Sequence, residues 1–348
     1  MSRLRFSILS AALIAAAGAV SPAGGQAVIS NGTIALGVNQ AGALNVSSSA
    51  GGSYGGVGVR YLPTSWDGTY AGCTCEGWGA GIAGGTYDGT WGGQNTAEGG
   101  ITNLSNITFS STATTATSAV TIQSGGTDLL RVTQAYAPSA VTPNLYQVTV
   151  TLTNLTGGTL GLGADGIRYR RTMDWDIPTP GHEVVSLAGW PATNLLGTSS
   201  NGFANENVFA DPGAICGAPQ NANFTDIGPC DHGANFDFGF PALAAGASQS
   251  LTIFYGAAAN LAAAKAALGA VGAEVASWAY CGSGEHDSIN GAECVGSTGP
   301  TFVFGFQGVG GVPIEPPTTV TPEPSSVILT ATALGFMLVG VRRRRKSV

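Results

Sequence analysis

The chain has 348 residues, of which 54 are glycine and only 9% are charged, and its formal net charge is −7 at pH 7. An apolar content of 44% is enough for a sizeable core, so the composition excludes wholesale disorder and favours an all-β exported protein. Seven of the 13 Lys and Arg residues lie within the first and last 27 residues, and the acidic remainder disfavours a nucleic-acid partner.

The N-terminus has the parts of a secretory signal peptide. Residues 1–5 are basic, residues 6–20 are apolar, and Gly25 and Ala27 are small residues at the positions that signal peptidase prefers. We therefore expect signal peptidase to remove residues 1–27 and the remaining chain to be exported.

Residues 28–307 are expected to form an exported antiparallel β-sandwich with one or two pairs of sheets. Residues 32–38 and 43–46 alternate with period two around a turn and predict an opening hairpin. Further strands are predicted at residues 57–62, 101–109, 118–122, 129–136, 145–152, 249–255 and 301–306, with a further pair within 160–176. Apolar residues at helical spacing predict one helix over residues 257–279.

Residues 63–100 are predicted to form a loop-rich insert, because glycines and polar residues separate its aromatic side chains. These aromatic residues are Trp66, Tyr70, Trp78, Tyr87 and Trp91. We favour a small satellite core beside Cys73 and Cys75; the alternative is a platform on which sugar rings stack.

Residues 167–178 are the densest polar and aromatic stretch of the exported part. The residues that share one face of a strand here are Arg168, Arg170, Thr172, Asp174 and Asp176. Opposite charges on that face neutralise each other across neighbouring strands, which gives a structural interpretation. The functional alternatives are a ligand or Ca²⁺ site made of Asp174, Trp175 and Asp176, or a pair of catalytic carboxylates.

Residues 202–239 are predicted to form a long loop region rich in Asn, Asp and Gly. Its second half contains Asp226, Asp231, His232 and Asp237. Loop capping is the favoured interpretation over a metal or acid–base site, because no catalytic motif accompanies these residues.

The six cysteines all lie in the exported part and predict disulfides: Cys73, Cys75, Cys216, Cys230, Cys281 and Cys294. Cys216 with Cys230 and Cys281 with Cys294 would each close a short loop that lacks an apolar core. Cys73 and Cys75 then bond to each other or each take one of the remaining partners. A metal site is disfavoured, because Cys-Thr-Cys lacks the usual two-residue spacer and only His182, His232 and His286 could assist.

The C-terminus has three parts in a fixed order. A Gly/Pro/Thr linker at residues 308–321 precedes Pro322, Glu323 and Pro324, and an apolar run follows at residues 327–341. A cytoplasmic stop then consists of Arg342, Arg343, Arg344, Arg345 and Lys346. A helix of about 15 residues spans about 22 Å of a hydrocarbon core of about 30 Å, which favours a temporary transmembrane anchor.

This tail, residues 322–348, resembles the PEP-CTERM sorting signal of bacterial exported proteins. Residues 169–176, 231–239 and 302–311 also look like stretches of exported PEP-CTERM proteins of unassigned biochemistry. The resemblance implies processing at the motif by an exosortase-type membrane protease, after transit through the inner membrane on the C-terminal helix. The mature protein would then lie at the cell surface, in the outer envelope or outside the cell, and no catalytic residues carry over.

The sequence therefore predicts a non-enzymatic surface or extracellular-matrix protein associated with exopolysaccharide or biofilm matrix. The alternatives are a secreted polysaccharide hydrolase or lyase and a Ca²⁺-dependent adhesin. No cofactor is predicted apart from Ca²⁺ in the adhesin. Divalent cations and neutral sugars are the natural ligands of such an acidic surface.

Overall fold

The computed structural model of the protein describes residues 25–73, 75–95 and 100–315. The predicted signal peptide up to residue 24, the end of the linker, the sorting motif, the helix at 327–341 and the terminal cations lie outside the described residues. Within the described residues, no helix has the length and apolar character needed to cross a membrane.

The described chain forms 21 strands, one α-helix and two 3₁₀ turns. Its first ten strands are β1 (Gln26–Ser30), β2 (Ile34–Asn39), β3 (Val46–Ser47), β4 (Gly56–Val57), β5 (Val59–Tyr61), β6 (Trp66–Asp67), β7 (Glu76–Ile82), β8 (Thr90–Asn95), β9 (Gly100–Thr102) and β10 (Leu104–Ser111). The next are β11 (Ala116–Ser124), β12 (Thr127–Pro138), β13 (Leu145–Asn154), β14 (Ile167–Trp175), β15 (Glu183–Ala188), β16 (Leu195–Ser199), β17 (Phe224–Ile227), β18 (His232–Phe240), β19 (Ser248–Ala258), β20 (Val275–Cys281) and β21 (Thr301–Gln307). The helix α1 is Leu261–Ala270, and the 3₁₀ turns are Ser49–Tyr54 and Gly296–Thr298.

The strands form two large and two small sheets. Nine strands make the larger sheet in the order β10-β11-β12-β13-β19-β21-β20-β15-β17, and six make the second in the order β16-β18-β14-β7-β8-β9. A four-stranded sheet has the order β1-β2-β5-β6, and β3 pairs with β4. The strands of all four sheets pair antiparallel, so the prediction of a mainly β, antiparallel protein is confirmed.

The main core lies between the two large sheets. Phe236 of β18 meets Phe304 and Phe306 of β21, with ring centroids 5.4 and 5.0 Å apart. Along β13, buried apolar side chains alternate with half-buried polar ones, as expected for a strand with one face in the core. The arrangement is sandwich-like, and β14 crosses its centre between β18 and β7.

The helix α1 packs on the other face of the nine-stranded sheet, against a second apolar cluster that includes Phe254 and Val303. It is shorter than the predicted helix over residues 257–279, which was wrong at both ends. Gly272 adopts a φ of +66° just after the helix, a conformation that stops helical propagation at little cost only for glycine. The β-branched and aromatic residues of β20 then continue as a buried strand.

The predicted loop-rich insert over residues 63–100 was also wrong, because β7 is buried along its whole length. Its glycines alternate with larger residues and allow another segment to lie directly on the sheet. A Cβ atom at Gly79 would collide with the backbone oxygen of Glu206, for example. The glycine content of this strand therefore reflects close packing of backbone on backbone.

Three other sequence expectations need correction. The second half of the predicted loop over 202–239 forms β17 and β18, and residues 160–176 supply one long strand where a pair was expected. The opening hairpin is reduced to a single bridge between Val38 and Leu44, since β2 pairs with β1 and β5. The strands β15 and β16 were not predicted.

Candidate functional site

Strand β14 presents its side chains to two different environments. Those that face the nine-stranded sheet are fully buried: Tyr169, Arg171, Met173 and Trp175. Those on the opposite face lie under the segment that precedes β17. Thr172, for example, donates to the backbone oxygen of Gly202 at 3.2 Å.

The outer face of β14 carries the charge pairing that the sequence suggested, at one position. Arg170 donates to both carboxylate oxygens of Asp237 on β18, at 2.6 and 2.8 Å, and the two residues are register partners. Arg168 pairs instead with Asp165, three residues before it. Neither arginine forms an ion pair with Asp174 or Asp176, so the arginines of β14 do not neutralise these carboxylates.

The inner face holds a buried ion pair that was not predicted. Arg171 donates to Glu76 of β7, and both side chains have no exposed surface. Tyr255 donates to the same carboxylate at 2.9 Å, and the backbone N–H of Leu44 donates at 2.7 Å. Burial alone would lower the pKa of Arg171, but the Glu76 carboxylate and three nearby tyrosines reverse this and hold it above its ordinary value.

Three aspartates converge where β14 ends and β18 begins. Asp174 is the penultimate residue of β14, Asp176 follows the strand, and Asp231 immediately precedes β18. One carboxylate oxygen from each lies within 4.8 Å of the other two. Asp174 and Asp176 are each only 1% exposed, whereas Asp231 is exposed to solvent.

Glu183, the first residue of β15, lies beside this cluster and is fully buried. Its Oε1 accepts a hydrogen bond from the backbone N–H of His232 at 2.9 Å. Its Oε2, the Oδ1 of Asp174 and both carboxylate oxygens of Asp176 accept no hydrogen bond of normal geometry from the protein. We call Asp174, Asp176, Asp231 and Glu183 the acidic cluster.

No cation of the described residues compensates the acidic cluster, and the protonated form of its buried carboxyls is favoured. Burial, followed by the charges of Asp176, Asp231 and Glu183, raises the pKa of Asp174 to about 10. Burial raises the pKa of Glu183 to about 9, and burial together with Asp231 raises that of Asp176 to about 8. None of the ion pairs within the described residues includes a member of the cluster.

Two glycines bring backbone close to these carboxylates. A Cβ atom at Gly72 would meet the carboxylate of Asp176, and one at Gly202 would meet Asp174. Both segments therefore approach the cluster more closely than a residue with a side chain could.

All six cysteines are joined, and all three bonds border the acidic cluster, since Cys281 is the register partner of Glu183. The pairs are Cys73–Cys75, Cys216–Cys230 and Cys281–Cys294, with Cα atoms 5.1, 6.2 and 5.5 Å apart. The last two are the pairs expected from the short loops that they close. The sulfur of Cys73 lies 3.7 Å from Oδ2 of Asp174, and that of Cys216 lies 3.5 Å from the backbone oxygen of Asp231.

A thiolate metal site does not fit these cysteines, because a disulfide offers no thiolate ligand. The histidines do not supply ligands for a metal site with these cysteines either. His232 Nε2 lies 3.1 Å from the backbone oxygen of Ile227, and His182 Nε2 lies 3.5 Å from a carboxylate oxygen of Glu285. In the described part of the chain, no histidine joins a group with metal-binding geometry.

The remaining candidate residues lie elsewhere. Trp175 points into the core, where its Nε1 donates to Ser277 at 3.1 Å, so it does not join Asp174 and Asp176 in a site. Asp226 is bonded to Ser186 and Asp237 to Arg170. The sequence thus singled out three members of the acidic cluster, Asp174, Asp176 and Asp231, without placing them together, and it missed Glu183.

Four of the five aromatic residues of 63–100 belong to the main core or pack against it, which favours the packing interpretation for them. Trp66 and Trp78 are buried in the main core, and Tyr70 and Tyr87 pack against it half-buried. The satellite core that was expected for them is therefore an extension of the main core.

Neither the protein-family models nor the curated proteins contain a match to this sequence. Among solved structures, a galactose mutarotase related enzyme from Lactobacillus acidophilus is similar at 8% identity and a TM-score of 0.31, over 82% of this chain and 99% of that chain. A similarity of this size carries no argument about function.

Proposed function

We propose that the protein is an exported, non-enzymatic component of the cell surface or extracellular matrix, sorted through its C-terminal Pro-Glu-Pro motif and associated with exopolysaccharide. The structural observation that carries the proposal is the set of three disulfides, which involve every cysteine of the chain. Disulfides persist in oxidising compartments and are rare in the bacterial cytosol. They support the export that the signal peptide and the tail predict.

The position of the carboxylates supports a non-enzymatic role. Asp174 and Asp176, the candidate catalytic pair, are each 1% exposed, so a polymeric substrate cannot contact them.

The outer face of the sandwich has a cavity of about 390 Å³ beside Asp165, Asp211 and Asp237. Each of these three carboxylates already accepts hydrogen bonds, from Arg168, Gln220 and Arg170 respectively. A glycosidase needs two carboxyl groups facing each other across the scissile bond.

The proposed sorting is tested by peptide mapping of the mature C-terminus, using mass spectrometry on membrane, outer-surface and culture-medium fractions of the native host. The expected result is a chain that ends near residues 322–325 in the surface or medium fraction. A tail that is intact through residues 342–348 and confined to the membrane fraction would overturn the proposal.

Two matched variants make the test specific for the motif. Glu323 and Glu315 each precede a proline, but only Glu323 stands between two prolines in the tail. Glu323→Ala should retain the basic tail, whereas Glu315→Ala should be processed like the natural chain. Equal processing of both variants would show that the Pro-Glu-Pro motif does not direct cleavage.

A further inference from the structure

We propose that the acidic cluster is a binding site for one divalent cation, Ca²⁺, with Asp174, Asp176 and Asp231 as ligands and Glu183 as the fourth carboxylate beside them. The inference stands on the geometry of four side chains, so it does not depend on where the protein is sorted or on whether it binds a sugar.

The spacing of the oxygens suits a single calcium ion. One oxygen from each of three aspartates lies within 4.8 Å of the others. Ca²⁺ binds oxygen at about 2.3–2.6 Å, so two ligands on opposite sides of one ion are about 5 Å apart. All three oxygens can therefore contact the same ion without a change of the backbone.

The buried oxygens without a hydrogen-bond donor are the second observation that points to a cation. One oxygen each of Asp174 and Glu183 is buried in this way. Asp176 lies against the backbone of Gly72, but neither of its buried oxygens accepts a hydrogen bond of normal geometry. Buried carboxylates are normally bonded to donors or paired with a cation, because removal from water is costly. Asp67, equally buried and close by, shows the normal case: it accepts hydrogen bonds from the backbone of Gly58 and Thr69 and pairs with Arg60 at 3.4 Å.

The charge of the cluster favours the same ligand. Among the described residues, no Lys or Arg forms an ion pair with a member of the cluster. A divalent ion would supply the missing positive charge. Carboxylate oxygens are the ligands that Ca²⁺ prefers, and the neighbouring sulfurs are oxidised, which disfavours Zn²⁺.

An ion here would have an entry path and a structural effect. Asp231 is exposed, and so are Gly72 and Cys73 in the segment that approaches Asp176. The bound ion would hold together the end of β14 and the start of β18, next to the Cys73–Cys75 and Cys216–Cys230 disulfides. We therefore expect Ca²⁺ to stabilise the folded state by an amount that grows with the logarithm of its concentration above the Kd.

The test is calorimetric titration of CaCl₂ into the disulfide-intact protein after removal of metal with EDTA, together with thermal unfolding with and without Ca²⁺. The expected result is one ion per chain and a melting temperature that rises with Ca²⁺ concentration. Asp174→Asn and Asp176→Asn should each weaken binding at least tenfold. Asp128→Asn, an exposed aspartate on β12, should leave affinity unchanged.

Two results would overturn the site. The first is no stoichiometric binding and no change in melting temperature of the natural protein at millimolar Ca²⁺. The second is binding of unchanged affinity in folded Asp174→Asn or Asp176→Asn protein. If either buried variant fails to fold, Asp231→Asn replaces it, because Asp231 is exposed and should tolerate the change. Unchanged affinity in a folded Asp231→Asn protein would remove Asp231 from the ligand set and contradict the inference as stated.

Discussion

The interior of the sandwich and the end of β14 both bury charge, but they compensate it in opposite ways. In the interior, Arg171 contacts Glu76, the side chain of Gln134 and the backbone oxygen of Gly42 at 3.1 Å. Both sheets contribute to this network, since Tyr255 on β19 also donates to Glu76. Every charged atom of the pair therefore has a partner from the protein itself.

At the end of β14, three residues further on, the protein supplies carboxyl groups without a cationic partner. Asp174 and Asp176 lie next to Asp231 and Glu183, and burial together with mutual repulsion raises the pKa of the buried members. Burial alone therefore does not identify a functional carboxylate. The two regions differ in how the carboxylate charge is balanced. Arg171 balances the charge of Glu76, whereas the acidic cluster has no cationic side chain and needs protons or a bound cation.

The largest expected effect comes from breaking the interior pair. Arg171→Met leaves Glu76 buried and uncompensated, and we expect it to lower the free energy of unfolding by about 3–5 kcal/mol. Denaturant unfolding followed by circular dichroism measures this loss. Arg131→Met, at an exposed position on β12, is the matched control and should change stability by less than about 0.5 kcal/mol. Similar losses in both variants would show that the interior pair has no special role.

The next effect compares two disulfides that lie beside different members of the acidic cluster: Cys230 directly precedes Asp231, whereas Cys281 is the register partner of Glu183. Cys216–Cys230 and Cys281–Cys294 close loops of similar length, with sequence separations of 14 and 13. Replacing either pair with serine should cost about 3 kcal/mol, because the unfolded chain gains similar freedom. The Cys216/Cys230 variant should bind Ca²⁺ more weakly than the Cys281/Cys294 variant in calorimetry, because the Cys216–Cys230 bond borders the proposed ligand Asp231, whereas Cys281 borders Glu183 beside the ligands. Equal affinity in the two variants would mean that the bond does not position the cluster.

The sequence predicted the antiparallel β character well, because period-two alternation reports burial on one face of a strand. Residues 129–136 and 145–152 were expected as strands and lie within β12 and β13. The prediction failed where both faces of a strand are covered. The strand β7 is buried on both faces, so its sequence shows no alternation of polar and apolar residues. Its Gly-Trp-Gly-Ala-Gly sequence is typical of loops, but here another segment packs directly on it.

The acidic cluster could be predicted only in pieces. Asp174 and Asp176 stood out because they are two residues apart on one strand. Asp231 was noticed as a neighbour of His232, and Glu183 was not noticed at all. Their convergence depends on the pairing of β14 with β18 and on where β15 begins, 49 residues before His232 in the chain. Such long-range contacts have no local sequence signal.

The pH dependence of stability should distinguish the two regions. Glu183 has its pKa raised by burial from 4.5 to about 9 in the folded state, so the folded protein keeps a proton that the unfolded chain releases. Between these values the folded state binds more protons, and its stability must fall as pH rises. The expected slope is about 1.4 kcal/mol per pH unit for each such carboxyl, in EDTA.

Unfolding measured in EDTA from pH 5 to pH 9 tests this sign. Glu183→Gln should reduce the slope, whereas Glu315→Gln, at an exposed position in the linker, should not. Ca²⁺ should also reduce it, because the ion stabilises the ionised carboxylates. Stability that rises with pH in EDTA would contradict the assignment of uncompensated charge to this cluster.

The smallest expected effect is at the outer face of β14, where two arginine pairs differ in exposure. Arg170 is almost fully buried against Asp237, whereas the side chains of Arg168 and Asp165 are 25% and 35% exposed. Exposed pairs contribute about 0–1 kcal/mol and are screened by salt, so Asp165→Asn should cost less than about 1 kcal/mol, and less still at high ionic strength. Asp237→Asn should cost more and depend less on salt, because Arg170 would lose a bidentate partner away from solvent. Arg170 also donates to the backbone oxygens of Asn205 and Ala210, and Arg168 donates to that of Val208. Equal losses of stability in denaturant unfolding would therefore mean that backbone oxygens are the main partners of both arginines.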